Sequence, residues 1–418
     1  MSLRRNDDFN FDLTKMFNND TIQRFKDIET PFYYYDMDAL RQTLDACRDA
    51  SAKHSFHVHY AMKANFNPKV IDAIQSYGFG ADCVSGNEVK AAIEHGFDKS
   101  KVVFAGVGKS DKEINLALDA DIFCFNVESV QELEIINDLA GAKGKTAGVA
   151  IRINPNVDAH THHYITTGLD ENKFGINTWQ LNDVVDMLRK CANLKFLGIH
   201  FHIGSQITDM EVYRSLCIRI NEMQDWFENH GFAIKILNTG GGLGVDYHNP
   251  DTNSIADFES YFQVFKKFLN VKPGQEVHFE LGRALVAQSA SLISRVLYVK
   301  NGQKKNFLIL DAGMTELMRP MLYQAYHEIE NLSRKSASPQ VGKSEDNNSL
   351  SFGEGRGEAI KYDVVGPICE STDCFRKDVD LPQSFRGDLI AIRTAGAYGE
   401  VMASGYNLRD LVQSVYSE

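Results

Sequence analysis

The chain has 418 residues, 43% of them hydrophobic, and a formal net charge of −12. That length supports one large core plus a second domain. The acidic balance argues against nucleic acid as the main partner, because phosphate binding needs a concentrated basic face. The seven cysteines, at 47, 83, 124, 191, 217, 369 and 374, form no C-x-x-C pair and no cluster with histidine at zinc spacing. They read as reduced thiols of a cytoplasmic protein. The opening MSLRRNDDFNFD lacks the apolar centre of a signal peptide, and no apolar run approaches membrane-spanning length.

In chain order, Pro31-Phe-Tyr-Tyr-Tyr35 predicts a strand, and Leu40, Leu44 and Cys47 recur at helical spacing behind Asp38. Short apolar runs then alternate with longer amphipathic ones. The short runs predict eight strands: Phe56 to Ala61, Gly78 to Val84, Val102 to Ala105, Ile122 to Phe125, Ala147 to Ile153, Phe196 to His202, Ile234 to Leu237 and Val277 to Leu281. Between them lie helical patterns at Asn87 to His95, Ser129 to Leu139, Leu181 to Ala192, Val212 to His230 and Phe258 to Leu269. Strict alternation implies a parallel sheet, and eight units close a (β/α)8 barrel of the TIM type. An open doubly wound sheet is the alternative; it ranks second because the polar candidates follow many different strands and not one switch point.

Beyond Arg283 the pattern changes to strand-like runs at Ser291 to Lys300, Asn306 to Ala312, Ile360 to Val365 and Asp388 to Thr394. Residues 37–283 are therefore expected to form the barrel, and 284–418 a carboxyl-terminal all-β domain that the segment 1–36 joins through its strand. A polar stretch at about 333–358 reads as an inserted surface loop.

In such a barrel the loops after the strands build the site. These ends carry Lys63, then Asp82 and Ser85, then Arg152 and Asn154, with Asp158, His160 and His162 in the connection that follows. Further on come His202 and Ser205, the run Gly240-Gly241-Gly242-Leu243-Gly244, and Glu280-Leu281-Gly282-Arg283. Taken singly each has a plain structural explanation: a snorkelling lysine, a packed core histidine, a flexible glycine loop, a Glu280–Arg283 ion pair at the rim. Together they describe something else. Bare peptide N–H groups can approach a phosphate closely, Ser205 can reach it, His202 can lie against an aromatic ring, Glu280 can keep a ring nitrogen protonated, and Lys63 can condense with an aldehyde. That set fits pyridoxal 5'-phosphate. Adjacent spacing at His160, His162 and His163, with no second ligand cluster, argues against a metal.

Several longer stretches carry a resemblance: YAMKAN at Lys63, RINPNVDAHTHHYITTG from Arg152, KFGI from Lys173, GIHFHIGSQ from Gly198, GGGLG from Gly240, ELGR from Glu280, GPICES around Cys369 and AYGEVMASGYN from Ala397. In these the chain resembles the fold-type III pyridoxal-phosphate decarboxylases, and among them the diaminopimelate branch, over nearly its whole length. The resemblance implies decarboxylation of meso-diaminopimelate to L-lysine, with Lys63 carrying the cofactor, His202 on its ring and Glu280 at its nitrogen. It also implies that Asp82, Ser205, Gly241, Gly242, Gly282, Arg283 and Tyr398 bind the cofactor. Arg283, Arg319, Tyr323, Glu370 and Tyr398 are implied to hold the substrate, and Cys369 to return a proton to the α-carbon. In that family the residues at Cys369 and Glu370 reach the site from a second subunit, so a homodimer is implied. Leu281 stands where the family has proline, which removes a φ restraint from the turn. Decarboxylation of ornithine, arginine or carboxynorspermidine, and a non-catalytic cofactor-binding role, remain as alternatives.

Overall fold

The computed structural model describes residues 16–157, 173–334 and 359–417. Asp158, His160, His162, His163 and most of the polar stretch at 333–358 lie outside them.

Strand β1 (Phe32–Tyr35) leads into a helix, Met37–Ala52, whose start is set by Asp36: its carboxylate accepts from the amides of Asp38 and Ala39 at 3.0 and 2.9 Å. The eight predicted barrel strands are all present. They are β2 (His57–Ala61), β3 (Gly80–Cys83), β4 (Val102–Phe104), β5 (Cys124–Val127), β6 (Ala147–Arg152), β7 (Leu194–His200), β8 (Ile236–Asn238) and β9 (Glu276–Leu281). All pair in parallel, and β9 closes on β2 with His57 opposite His278 and Tyr60 opposite Leu281. The open-sheet alternative is thereby excluded. β7 ends two residues before the predicted limit, so His202 belongs to the loop that follows.

Side-chain caps set where the outer helices begin. Asn67 accepts from the amide of Lys69 with Pro68 in the first turn, Ser85 from Glu88, Ser129 from Glu132, and Asp257 from Ser260. Ser85 is thus a helix cap and not a site residue. The helix Asp111–Asp119, absent from the sequence reading, starts with a Ser110–Glu113 capping box and buries only Ile114, Ala117 and Leu118, too short a stripe to stand out.

The remaining strands are β10 (Ala290–Asn301), β11 (Asn306–Leu310), β12 (Ile329–Asn331), β13 (Ala359–Val365), β14 (Cys374–Pro382), β15 (Leu389–Ile392) and β16 (Gln413–Tyr416). They form one sheet in the order β12-β15-β10-β11-β13-β14, with β1 pairing antiparallel to β10 and parallel to β16. The amino-terminal strand does join the carboxyl-terminal sheet, as expected. One apolar cluster runs through barrel and sheet alike, linking Tyr33 and Tyr35 of β1 to Tyr60, Leu281, Leu292 and Ile392. Among the described residues no helix is long and apolar enough to cross a membrane.

Candidate active site

Lys63 lies in a single 3-10 turn, Met62–Ala64, immediately after β2. The turn is held from three directions. Tyr60 Oη donates to Asn65 O at 2.7 Å, Asn65 Nδ2 donates to Tyr35 Oη at 2.9 Å and to Gly396 O at 2.8 Å, and the amide of Tyr398 donates to Ala64 O at 2.8 Å. Barrel, amino-terminal strand and carboxyl-terminal loop therefore all position this lysine. Tyr398 accepts a left-handed φ of 55° to do so, a conformation that costs about 1 kcal/mol or more for a side chain with a Cβ.

Lys63 faces a cavity of about 960 Å³ that is also lined by Asp82, His202, Ser205, Gly242, Glu280, Gly282, Arg283, Arg319, Tyr323 and Tyr398. Gly241 sits behind it, its amide donating to His202 Nδ1 at 3.3 Å. Cys369 and Glu370 are not part of this cavity. Both are exposed, in the turn between β13 and β14, where Glu370 accepts from Tyr406 Oη at 2.6 Å. Arg152 is also elsewhere: it forms a buried ion pair with Glu128 at 2.6 Å.

Glu280 is satisfied on both carboxylate oxygens. Oε1 accepts from Asn126 Nδ2 at 2.8 Å and Asn238 Nδ2 at 2.7 Å, and Oε2 meets His200 Nε2 at 2.8 Å. Burial works against its charge, but His200, His202 and Asn238 outweigh that and hold it well below the usual carboxylate range. Glu280 does not pair with Arg283, so the rim ion pair is not formed. Arg283 instead donates to Tyr247 Oη at 2.6 Å and Ser205 Oγ at 3.0 Å, and its Nε has no partner among the described residues.

Asp82 is 2% exposed, and its Oδ1 has no hydrogen-bond partner among the described residues; burial, and then the charge of Glu280, push its carboxyl upward. Burial lowers the Lys63 ammonium, but the field of Asp82 and Tyr398 outweighs it and the balance is raised. His202 is pulled well below its ordinary value by burial and then by Lys63. Its Nδ1 accepts from Gly241, so the ring is neutral with its proton on Nε2.

Two glycines make the close approach possible. A Cβ on Gly241 would lie 1.9 Å from the carbonyl of Glu280, and on Gly242, at φ +107°, 2.7 Å from that of Gly204. A flat neutral ring, a fixed anion near the carboxyl end of β9, a lysine amine and an arginine with a donor to spare suit an aromatic aldehyde bearing a ring nitrogen and a phosphate.

In and behind the cavity wall stand residues that sequence reasoning missed. Tyr247 stands between Arg283 and Arg319; burial raises its phenol, but the two guanidiniums outweigh burial and the balance is lowered. Arg319 lies 4.9 Å above the Tyr247 ring and donates to His327 Nε2 at 2.9 Å, while His327 Nδ1 donates to the carbonyl of Arg393 at 2.8 Å. Nothing in the local pattern around His327 marks it. Asn126 and Asn238 were legible as amides inside otherwise apolar strands, a signal that went unused.

Residues 38–287 match the family described as "Pyridoxal-dependent decarboxylase, pyridoxal binding domain". The diaminopimelate decarboxylase of Bacteroides thetaiotaomicron is 55% identical over 95% of this chain and 98% of its own length. A solved structure of diaminopimelate decarboxylase from Helicobacter pylori complexed with L-lysine is 37% identical, covers 95% of this chain and 93% of that one, and has a TM-score of 0.84. A lysine/ornithine decarboxylase of Vibrio vulnificus, complexed with putrescine, shares the fold at a TM-score of 0.79, but only 20% identity over 96% and 99% of the two chains. Amino-acid sequence, barrel and cavity agree: the chain belongs to the pyridoxal-phosphate-dependent decarboxylases and, within them, to the diaminopimelate decarboxylases.

Proposed function

We propose that the chain removes one carboxyl group of meso-diaminopimelate to leave L-lysine, in a site completed by a second copy of itself. The observation that carries the substrate is the pair Arg283 and Arg319, both lining the cavity and both beside the Tyr247 ring. A substrate with an amino acid at each end needs cationic groups away from the reacting carbon, and two buried guanidiniums supply them. A diamine-forming substrate without a distal carboxylate would leave Arg319 buried with no counter-charge, a costly arrangement.

Bound pyridoxal phosphate supplies an electron sink for the pair left when carbon dioxide departs. The chain does the rest. Lys63 would hold the cofactor carbonyl, and His202 would present a neutral ring face to it. Glu280, fixed as an anion by two amides and His200, would keep a proton on the cofactor's ring nitrogen. Arg283 and Arg319 would orient the substrate through contacts away from its reacting carbon.

Cys369 and Glu370 serve this chemistry from the partner chain. The loop that carries them is braced, since buried Asp373 accepts from the amides of Ile368 and Met314, each at 2.7 Å. Beside it Tyr406, Leu408 and Leu411 are 48%, 98% and 70% exposed, an apolar patch of the kind that second copies cover. The seven cysteines, all free and five of them buried, suit a reducing cytoplasm.

Carbon dioxide release from diaminopimelate, compared with ornithine, arginine and carboxynorspermidine, tests the substrate; faster release from any of the last three overturns it. Mixing inactive Lys63→Ala and Cys369→Ala chains tests the shared site. Random exchange should restore about one quarter of the activity, because half the dimers then hold one intact site. No recovery after proven exchange would place Cys369 in the site of its own chain and overturn the shared site.

A further inference from the structure

The amino-terminal mouth of the barrel holds a second group of titratable side chains, at the end opposite Lys63, that decarboxylation does not use. His57 opens β2, while Glu276 and His278 lie on β9, the strand that closes the barrel against it. The ligand atoms of His57, Glu276 and His278 all lie within 4.8 Å of one another.

Hydrogen-bond direction settles what these atoms offer. The carbonyl of Lys101, 2.9 Å from His59 Nδ1, can only accept, so that nitrogen carries a proton. Neutral His59 then turns a lone pair at Nε2 toward His278 Nδ1, 2.8 Å away, which must donate. With His278 neutral as well, its Nε2 keeps a lone pair, and 3.2 Å from it lies Glu276 Oε2, another acceptor. Two lone pairs at that separation repel unless positive charge bridges them. The ring cannot easily turn away: it stacks on His59 at 5.0 Å and 20° and on Phe123 at 5.9 Å and 15°. The His278 side chain is 5% exposed, but that of Glu276 is 56% exposed and His57 is exposed too, so the group opens to solvent on one side.

We propose that His57, Glu276 and His278 bind a divalent transition cation of zinc-like chemistry, which staples the two strands that close the barrel. Two imidazole nitrogens and one carboxylate with an open fourth position form a ligand set that such cations take. Ligand atoms about 2.0 Å from a tetrahedral ion stand about 3.3 Å apart. The His278–Glu276 pair already has that spacing, and rotation of the exposed His57 side chain supplies the third ligand. The path from His278 through His59 to the Lys101 carbonyl is the outer hydrogen-bond chain that fixes the tautomer of a metal-ligating histidine. A cation bound there stabilises only the closed barrel, since the unfolded chain has no such cluster.

The test uses the full, cofactor-loaded enzyme, stripped with a chelator and then titrated with Co²⁺ and Zn²⁺. One equivalent of Co²⁺ should give visible d–d bands beyond the cofactor's absorption, displaced by Zn²⁺, and Zn²⁺ should raise Tm by several degrees. Glu276→Gln and His57→Ala should each lose both effects and keep their decarboxylase activity. Ions held by the 160–163 histidines or by Cys369 would survive these substitutions, so unchanged bands and Tm shift in both variants overturn the proposal. Absence of saturable binding at submillimolar metal does the same. So does an imidazole NMR spectrum of the metal-free protein, at neutral pH, showing His278 protonated on both nitrogens. If His57→Ala fails to fold, the exposed Glu276→Gln alone decides.

Discussion

Strand β9 carries two glutamates four residues apart, each beside a histidine, and the two ends of the barrel treat them differently. Glu280 is 5% exposed and accepts from two asparagine amides as well as meeting His200. Glu276, with a side chain 56% exposed, has among the described residues one side-chain polar partner, His278 Nε2. The same residue type therefore becomes a fixed charge at one end and an open ligand at the other. The partners make the difference: His200, then His202 and the Asn238 amide, outweigh burial and keep Glu280 an anion.

The sharpest break of that comparison lies at its upper end. Lys63→Ala should reduce turnover by at least about 10³-fold, some 4 kcal/mol of barrel-mouth chemistry, and abolish borohydride trapping of cofactor on the chain. Glu280→Gln keeps the shape but sets an amide against Asn126 and Asn238, both already donors; kcat should fall by about 10²-fold or more, measured at saturating substrate and cofactor. Arg319→Ala should raise KM for diaminopimelate by about 30-fold or more, since it removes a buried guanidinium from the remote end, with a smaller effect on kcat.

His327→Phe probes the support behind Arg319. Losing one acceptor of a charged donor should cost about tenfold in kcat/KM, carried mainly by KM. The same substitution has a pH signature. Burial and then Arg319 hold His327 down to about 3, against 6.5 when free. As pH falls below about 6.5 the unfolded chain takes up a proton that the folded chain refuses, so stability drops by about 1.4 kcal/mol per pH unit until about pH 3. Above 6.5 this contribution is constant. Urea unfolding at pH 7 and pH 5 should therefore differ less for His327→Phe than for the parent chain. At the small end of the scale, Glu276→Gln should leave turnover unchanged and alter only metal-dependent Tm, the mirror image of Glu280→Gln.

The eight barrel strands were legible because each is a short apolar run between amphipathic ones, and burial on both faces of a parallel strand leaves little choice of sequence. Lys63, His202, Ser205, Glu280 and Arg283 were legible for a related reason: polar groups at strand ends interrupt that pattern. Strands β12, β14 and β16 were not. β14 alternates through Arg376, Lys377, Asp378 and Asp380 with its register broken against β13, and β16 is four residues whose partner, β1, lies nearly 400 positions earlier. Such pairings have no local mark.

Periodicity and the chemistry of strand ends thus determined the barrel, the lysine and the glutamate, because both are written in neighbouring residues. The tertiary structure decided which groups share a cavity and which way each proton points. It set Tyr247 between two arginines, His327 behind one of them, and Cys369 and Glu370 outside the cavity altogether. It likewise opposed His278 to Glu276 through a chain of donors beginning at the Lys101 carbonyl. Those relations depend on distances between residues far apart in sequence, and a hydrogen bond's direction depends on every partner along its chain.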